Sequence, residues 1–165
     1  MMEKVLKFKK EILLLLLISL VYFAIRVPNL TLQPIFADEA IYIRWAQVMR
    51  AEPTLRFLPL TDGKTPLFMW LMIPFFKIFD DPVLAGRILS VLAGFGTVMG
   101  GFFLGLKFFN KRVGILAALL LTITPYVFFF DRLALVDSML SMFTVWSLFA
   151  ALLLTQYFRI DLAMG

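Results

Sequence analysis

Long apolar runs separated by short charged turns decide the solvent of this chain. The runs are Ile12 to Ile25, extended to Val27 across Arg26, then Val83 to Phe109, Val113 to Phe130 and Met139 to Phe158. They lie near the roughly 20 residues that a helix needs to cross about 30 Å of hydrocarbon. Hydrophobic residues make up 62% of the chain and charged ones 16%, against roughly 25% charged in soluble domains. The expectation is an all-α integral membrane protein with about four transmembrane helices, treated as a single transmembrane domain over residues 1–165. Cysteine and histidine are both absent, which excludes disulfide scaffolds, Cys/His zinc sites, cysteine nucleophiles and Ser-His-Asp triads. The basic residues flank apolar spans without interleaved aromatics, so nucleic acid is not an expected partner.

Charge sets the topology. Lys4, Lys7, Lys9 and Lys10 precede the first span, and Lys107, Lys111 and Arg112 surround the turn between the second and third. Both groups are cytoplasmic under the positive-inside rule only if Pro66 to Phe79, about 14 residues long, lies flat rather than crossing. The chain then reads as a retained signal-anchor helix with a cytoplasmic amino terminus, in a multi-pass protein of a prokaryotic cell membrane. Residues 28–82 form its first external loop, holding two amphipathic surface helices. In the first, Asp38 to Arg50, the expected apolar stripe is Ile41, Trp45 and Val48. The second is expected to start at Thr65-Pro66 and the second span at Asp81-Pro82, both cap-plus-proline signatures. Pro125 is expected to kink the third span. Gly96-x-x-x-Gly100 and Gly101-x-x-x-Gly105 suit close packing of membrane helices.

On this topology Asp38, Glu39, Lys64, Arg87, Asp131, Arg132 and Asp137 converge on one membrane face. The external half holds eight acids and eight bases, the cytoplasmic half three acids and eight bases, so the external charges can pair with one another. Ionisable groups beside hydrocarbon are costly and mark function by default. Each also has a plainer reading. Asp38 suits a helix cap, Lys64 after Asp62-Gly63 a solvated turn charge, Asp131-Arg132 a local ion pair, and Asp137 a first-turn acid favoured by the helix dipole. Arg87 sits a little way inside the second span, where a cation must snorkel or find an anionic partner. Two adjacent acids, Asp38 and Glu39, exceed what one cap requires.

Taken together, several motifs resemble the membrane-embedded GT-C glycosyltransferases, especially the protein O-mannosyltransferase and lipid A aminoarabinose transferase types. They are Arg26-x-Pro28, Phe36-Ala37-Asp38-Glu39-Ala40-x-Tyr42-x-x-Trp45-Ala46, Gly63-Lys64-Thr65-Pro66-Leu67-Phe68-x-Trp70, Gly86-Arg87-x-x-Ser90, and Arg132 to Asp137. The resemblance implies a partial GT-C fold and transfer of a sugar from a polyprenyl-phosphate donor to a protein or lipid hydroxyl at the external face, with inversion. It implies Asp38 as catalytic base and Glu39, Lys64, Arg87 and Asp137 as substrate-binding residues, with Lys64 and Arg87 facing the phosphate. No cofactor is demanded, and a divalent cation near Asp137 is left open. Such relatives are much longer, so the chain is expected to be an inactive amino-terminal fragment of the transferase. The competing readings are a lipid or ion transporter fragment and a small structural membrane subunit.

Overall fold

One helix, α4 (Pro82–Phe108), is the axis of the fold. The computed structural model describes residues 2–157, with side chains over 12–155. In it α1 (Met2–Arg26), α5 (Lys111–Ile123) and α7 (Asp137–Tyr157) all pack on α4. The side chains of the basic tail and the expected span end at Phe158 lie outside the described residues. α4 starts where predicted, because Asp81 Oδ1 accepts the Val83 N–H at 2.8 Å and Pro82 occupies the first turn. α5 starts behind Asn110, whose Oδ1 accepts from the amides of Arg112 and Val113 at 2.9 and 3.1 Å.

The two glycine pairs of α4 face different neighbours. Gly96 and Gly100 lie against Met142, Val145 and Trp146 of α7, and the Trp146 indole N–H donates to Gly96 O at 3.0 Å. Gly101 and Gly105 face α5, where a β-carbon on Gly105 would stand 2.6 Å from the Gly114 Cα. Backbone meets backbone at that crossing, so a side chain at either glycine would push the helices apart.

The four expected spans correspond to α1, α4, α7 and a broken pair, α5 with α6 (Pro125–Asp131). α4 and α7 are each long and apolar enough to cross alone. The third is bent by 63° at Pro125, where the kink is expected. Pro125 carries no N–H to return to Leu121 O. The Arg26 guanidinium fills that gap, reaching Leu121 O at 3.4 Å and Thr122 O at 2.9 Å, while its Nε donates to Asp131 Oδ2 at 2.9 Å beyond the break. A break at membrane depth is tolerated where protein groups satisfy the freed carbonyls in this way. Arg132 makes the reciprocal contact. It donates to the carbonyls of Ile25 and Arg26 at 3.0 Å and of Asn29 at 3.1 Å, closing the end of α1. Asp131 and Arg132 therefore form no local ion pair; each bonds to the end of α1.

Between α1 and α4 the chain builds a small external layer, beginning with α2 (Ala37–Ala51). Its buried face is Glu39, Tyr42, Ile43, Ala46 and Met49, whereas Ile41 is exposed and Trp45 and Val48 are half-buried. This corrects the expected stripe. α2 carries apolar residues nearly all round, so periodicity admits two inner faces, and the bonds of Glu39 select one. The second surface helix is shorter than expected: α3 (Leu67–Met72) continues as a 3₁₀ turn over Ile73–Lys77, with Pro74 at the change. Its N-cap is Pro66, with no side-chain cap from Thr65. At 1.5–2.0 Å per residue it is under about 20 Å long, too short to cross. Phe68, Met69 and Met72 bury it in one cluster with Tyr42, Leu89, Leu133 and Met139.

Candidate active site

Glu39 and Arg87 are completely buried and bonded side by side. Arg87 Nε donates to Glu39 Oε1 and Nη2 to Oε2, both at 2.8 Å, the bidentate geometry of the strongest carboxylate pairs. Each carboxylate oxygen takes a second bond. Oε2 accepts the Phe36 N–H at 2.9 Å, capping the start of α2, and Oε1 accepts the Ala134 N–H at 2.6 Å. The guanidinium also donates to the carbonyls of Leu30, Gln33 and Pro34. Burial pushes the Glu39 carboxyl up, but Arg87 and the two amides outweigh it and hold its pKa below the ordinary glutamate value.

The cap of α2 therefore comes from Glu39, not Asp38. Asp38 is exposed in the first turn of α2 and makes no hydrogen bond or ion pair among the described residues. Lys64 is exposed just after the turn that ends at Gly63, whose φ of +69° suits glycine there. Asp137 is exposed at the first residue of α7. The five expected site residues thus divide in two: Glu39 and Arg87 bond to each other inside the fold, while Asp38, Lys64 and Asp137 stay open.

A second buried network lies behind Asp137. Asp131 accepts from Arg26, from the Tyr22 hydroxyl at 3.0 Å and from the Ser138 hydroxyl at 2.8 Å. A β-carbon on Gly94 would collide with the Asp131 carboxylate and the Tyr22 hydroxyl, so that glycine makes room for the network. Tyr22 and Ser138 escaped the sequence reading. The signal that could have found them is the pair of opposite charges, Arg26 and Asp131, on two different spans. A cleft of about 450 Å³ runs from Asp137, Ser138 and Asp131 along α7 past Ser141 and Thr144, with Thr97 of α4 on its wall. Among the described residues no three acidic side chains converge as a metal site.

The fold is all-helical and membrane-like among the described residues, and Asp137 lines the apolar cleft beside the buried Arg26–Asp131 pair. The sequence model of the dolichyl-phosphate-mannose-protein mannosyltransferase family matches residues 63–162, and the chain belongs to that family, which is one of membrane glycosyltransferases of the mannosyltransferase type. The matched stretch contains Lys64, Arg87, Asp131 and Asp137 and leaves Asp38 and Glu39 outside it. No curated protein and no solved structure matches the chain.

Proposed function

We propose that this protein moves a sugar from a polyprenyl-phosphate carrier to a hydroxyl of a protein or lipid acceptor at the external membrane face. One observation carries the choice of base: Asp38 is an exposed carboxylate without a partner among the described residues, on a helix start anchored by its buried neighbour Glu39. An acceptor hydroxyl is a poor nucleophile until a positioned base takes its proton. In the proposed step Asp38 accepts that proton while the acceptor oxygen attacks the anomeric carbon from the face opposite the phosphate. The bond from that carbon to the carrier phosphate oxygen breaks, the phosphate leaves with the electron pair, and the configuration inverts. Lys64 offsets the charge that develops on the phosphate. Asp137, at the mouth of the cleft, accepts hydrogen bonds from donor or acceptor hydroxyls.

Transfer from radiolabelled polyprenyl-phosphate mannose by the full-length protein tests this reading. Asp38→Asn should lower transfer by about 10²–10⁴-fold and leave carrier binding in place, because the amide keeps the size but takes no proton. Lys64→Ala should weaken carrier binding and slow transfer together. Near-normal transfer by Asp38→Asn would remove the base from the mechanism.

A further inference from the structure

We infer that Glu39 and Arg87 are positioning residues, one buried ion pair that sets the places of Asp38 and Asp137 together without either partner meeting the donor phosphate. This rests on the reading of Asp38 and Asp137 as the groups that face substrate.

A guanidinium carries five N–H donors. In Arg87 the Nε–H and one Nη2–H go to Glu39, both Nη1–H go to the carbonyls of Leu30 and Gln33, and the other Nη2–H goes to Pro34 O at 3.3 Å. None is left for a phosphate, and the side chain has no exposed surface. Admitting an anion here would mean displacing Glu39 and leaving a carboxylate buried without its cation, a change that is strongly disfavoured. Glu39 is equally saturated: its two oxygens accept four bonds, from Arg87 twice, Phe36 and Ala134.

The partners show what the pair holds. Phe36 stands two residues before Asp38, and Ala134 three residues before Asp137. Leu30, Gln33 and Pro34 belong to the connection that delivers the chain from α1 to α2. One carboxylate thus joins the start of α2 to the segment that leads into α7, and one guanidinium pins both to α4. The sequence separations, 48 residues from Glu39 to Arg87 and 95 from Glu39 to Ala134, mean that no local turn could supply this registration.

Charge and geometry give opposite outcomes. Lysine keeps the cation but loses the fork, so a phosphate contact would survive Arg87→Lys and a positioning role would not. In the full-length protein we expect Arg87→Lys and Arg87→Gln to lower kcat alike, by about 10²-fold, with donor affinity changed by less than about threefold. A tenfold loss of donor affinity in Arg87→Gln that Arg87→Lys restores would overturn the proposal in favour of direct phosphate binding.

A second readout needs no turnover. The chain has no cysteine, so Asp38→Cys and Asp137→Cys can each be labelled singly by an impermeant maleimide. Adding Arg87→Lys should shift both labelling rates. A shift at position 38 with none at position 137 would break the inferred joint. Where Arg87→Lys does not fold, Glu39→Gln, which keeps the shape of the carboxylate, is read by the same two assays against the same outcomes. A wild-type protein without transfer would refute the transferase reading, while the labelling pair would still decide whether the joint exists.

Discussion

The two ends of α4 are held by different physics. Near Arg87 the helix is tied by directional bonds: Arg87 to Glu39, Ser90 Oγ to Leu135 O at 3.3 Å, and Val91 O to Tyr22 at 2.9 Å, with Gly94 leaving space for Asp131. Near Gly105 its close contacts are backbone against backbone at Gly114 and the rings of Phe103 and Phe108 on Trp146 and Phe149 of α7. Glycine contacts let helices approach but specify no chemistry, whereas the ion pairs specify which loop residue stands where. The end at which we propose the site is the one built from charged hydrogen bonds.

The sharpest way to break this contrast is to remove one member of a buried pair. Arg26→Leu or Asp131→Leu alone should destabilise by about 3–5 kcal/mol, because each leaves a buried charge without its partner. The double substitution should cost less than either single one. Thermal unfolding in detergent measures this, and additive losses would show that the pair is not coupled. At the other end, Gly105→Ala should cost about 1–3 kcal/mol by forcing the crossing apart. It should leave maleimide labelling at position 38 unchanged, since the buried pairs Glu39–Arg87 and Arg26–Asp131 lie at the opposite end of α4.

A smaller effect separates the ends by pH. The Glu39 pKa lies below the ordinary value of about 4.3, so its stabilisation is complete above that pH and disappears as pH falls through the lower, folded value. Fluorescence of Trp45 and Trp70, which pack in the external layer, should change only at pH below about 4, and Glu39→Gln should abolish the step. A transition centred above the ordinary glutamate value would contradict the pairing. Last, cysteines at Asn110 and Asp62 test the orientation: impermeant reagent should label only position 62. Labelling of position 110 from outside would invert the topology and move the proposed site to the other face.

Local grammar was legible in the sequence. Asp81-Pro82 caps its helix, Gly63 closes its turn, the glycine pairs sit at crossings and Pro125 bends its span. Each depends on residues within a few positions of one another, or on one backbone property. The face of α2 was not legible, because its apolar residues lie nearly all round the helix and periodicity admits two inner faces. Nor were the pairings Arg26–Asp131 and Glu39–Arg87, whose members lie 105 and 48 residues apart. The sequence marked these charges as costly and clustered them on one face. Which acid answers which base is decided by tertiary packing, and that separates the open carboxylates, Asp38 and Asp137, from the structural one between them in the fold.

The distance along the chain between Arg26 and Asp131 has a consequence for biosynthesis. At roughly 5–20 residues per second a ribosome needs about 5–20 s to reach the acid after making the base. Throughout that interval α1 holds a guanidinium at its end with neither its carboxylate nor the Leu121 and Thr122 carbonyls yet made. Such a helix keeps its cation toward the headgroups, where a long side chain can reach water. α1 is thus made before α4 and α5 yet completes its contacts after them, and its final docking waits for the Pro125 break to emerge.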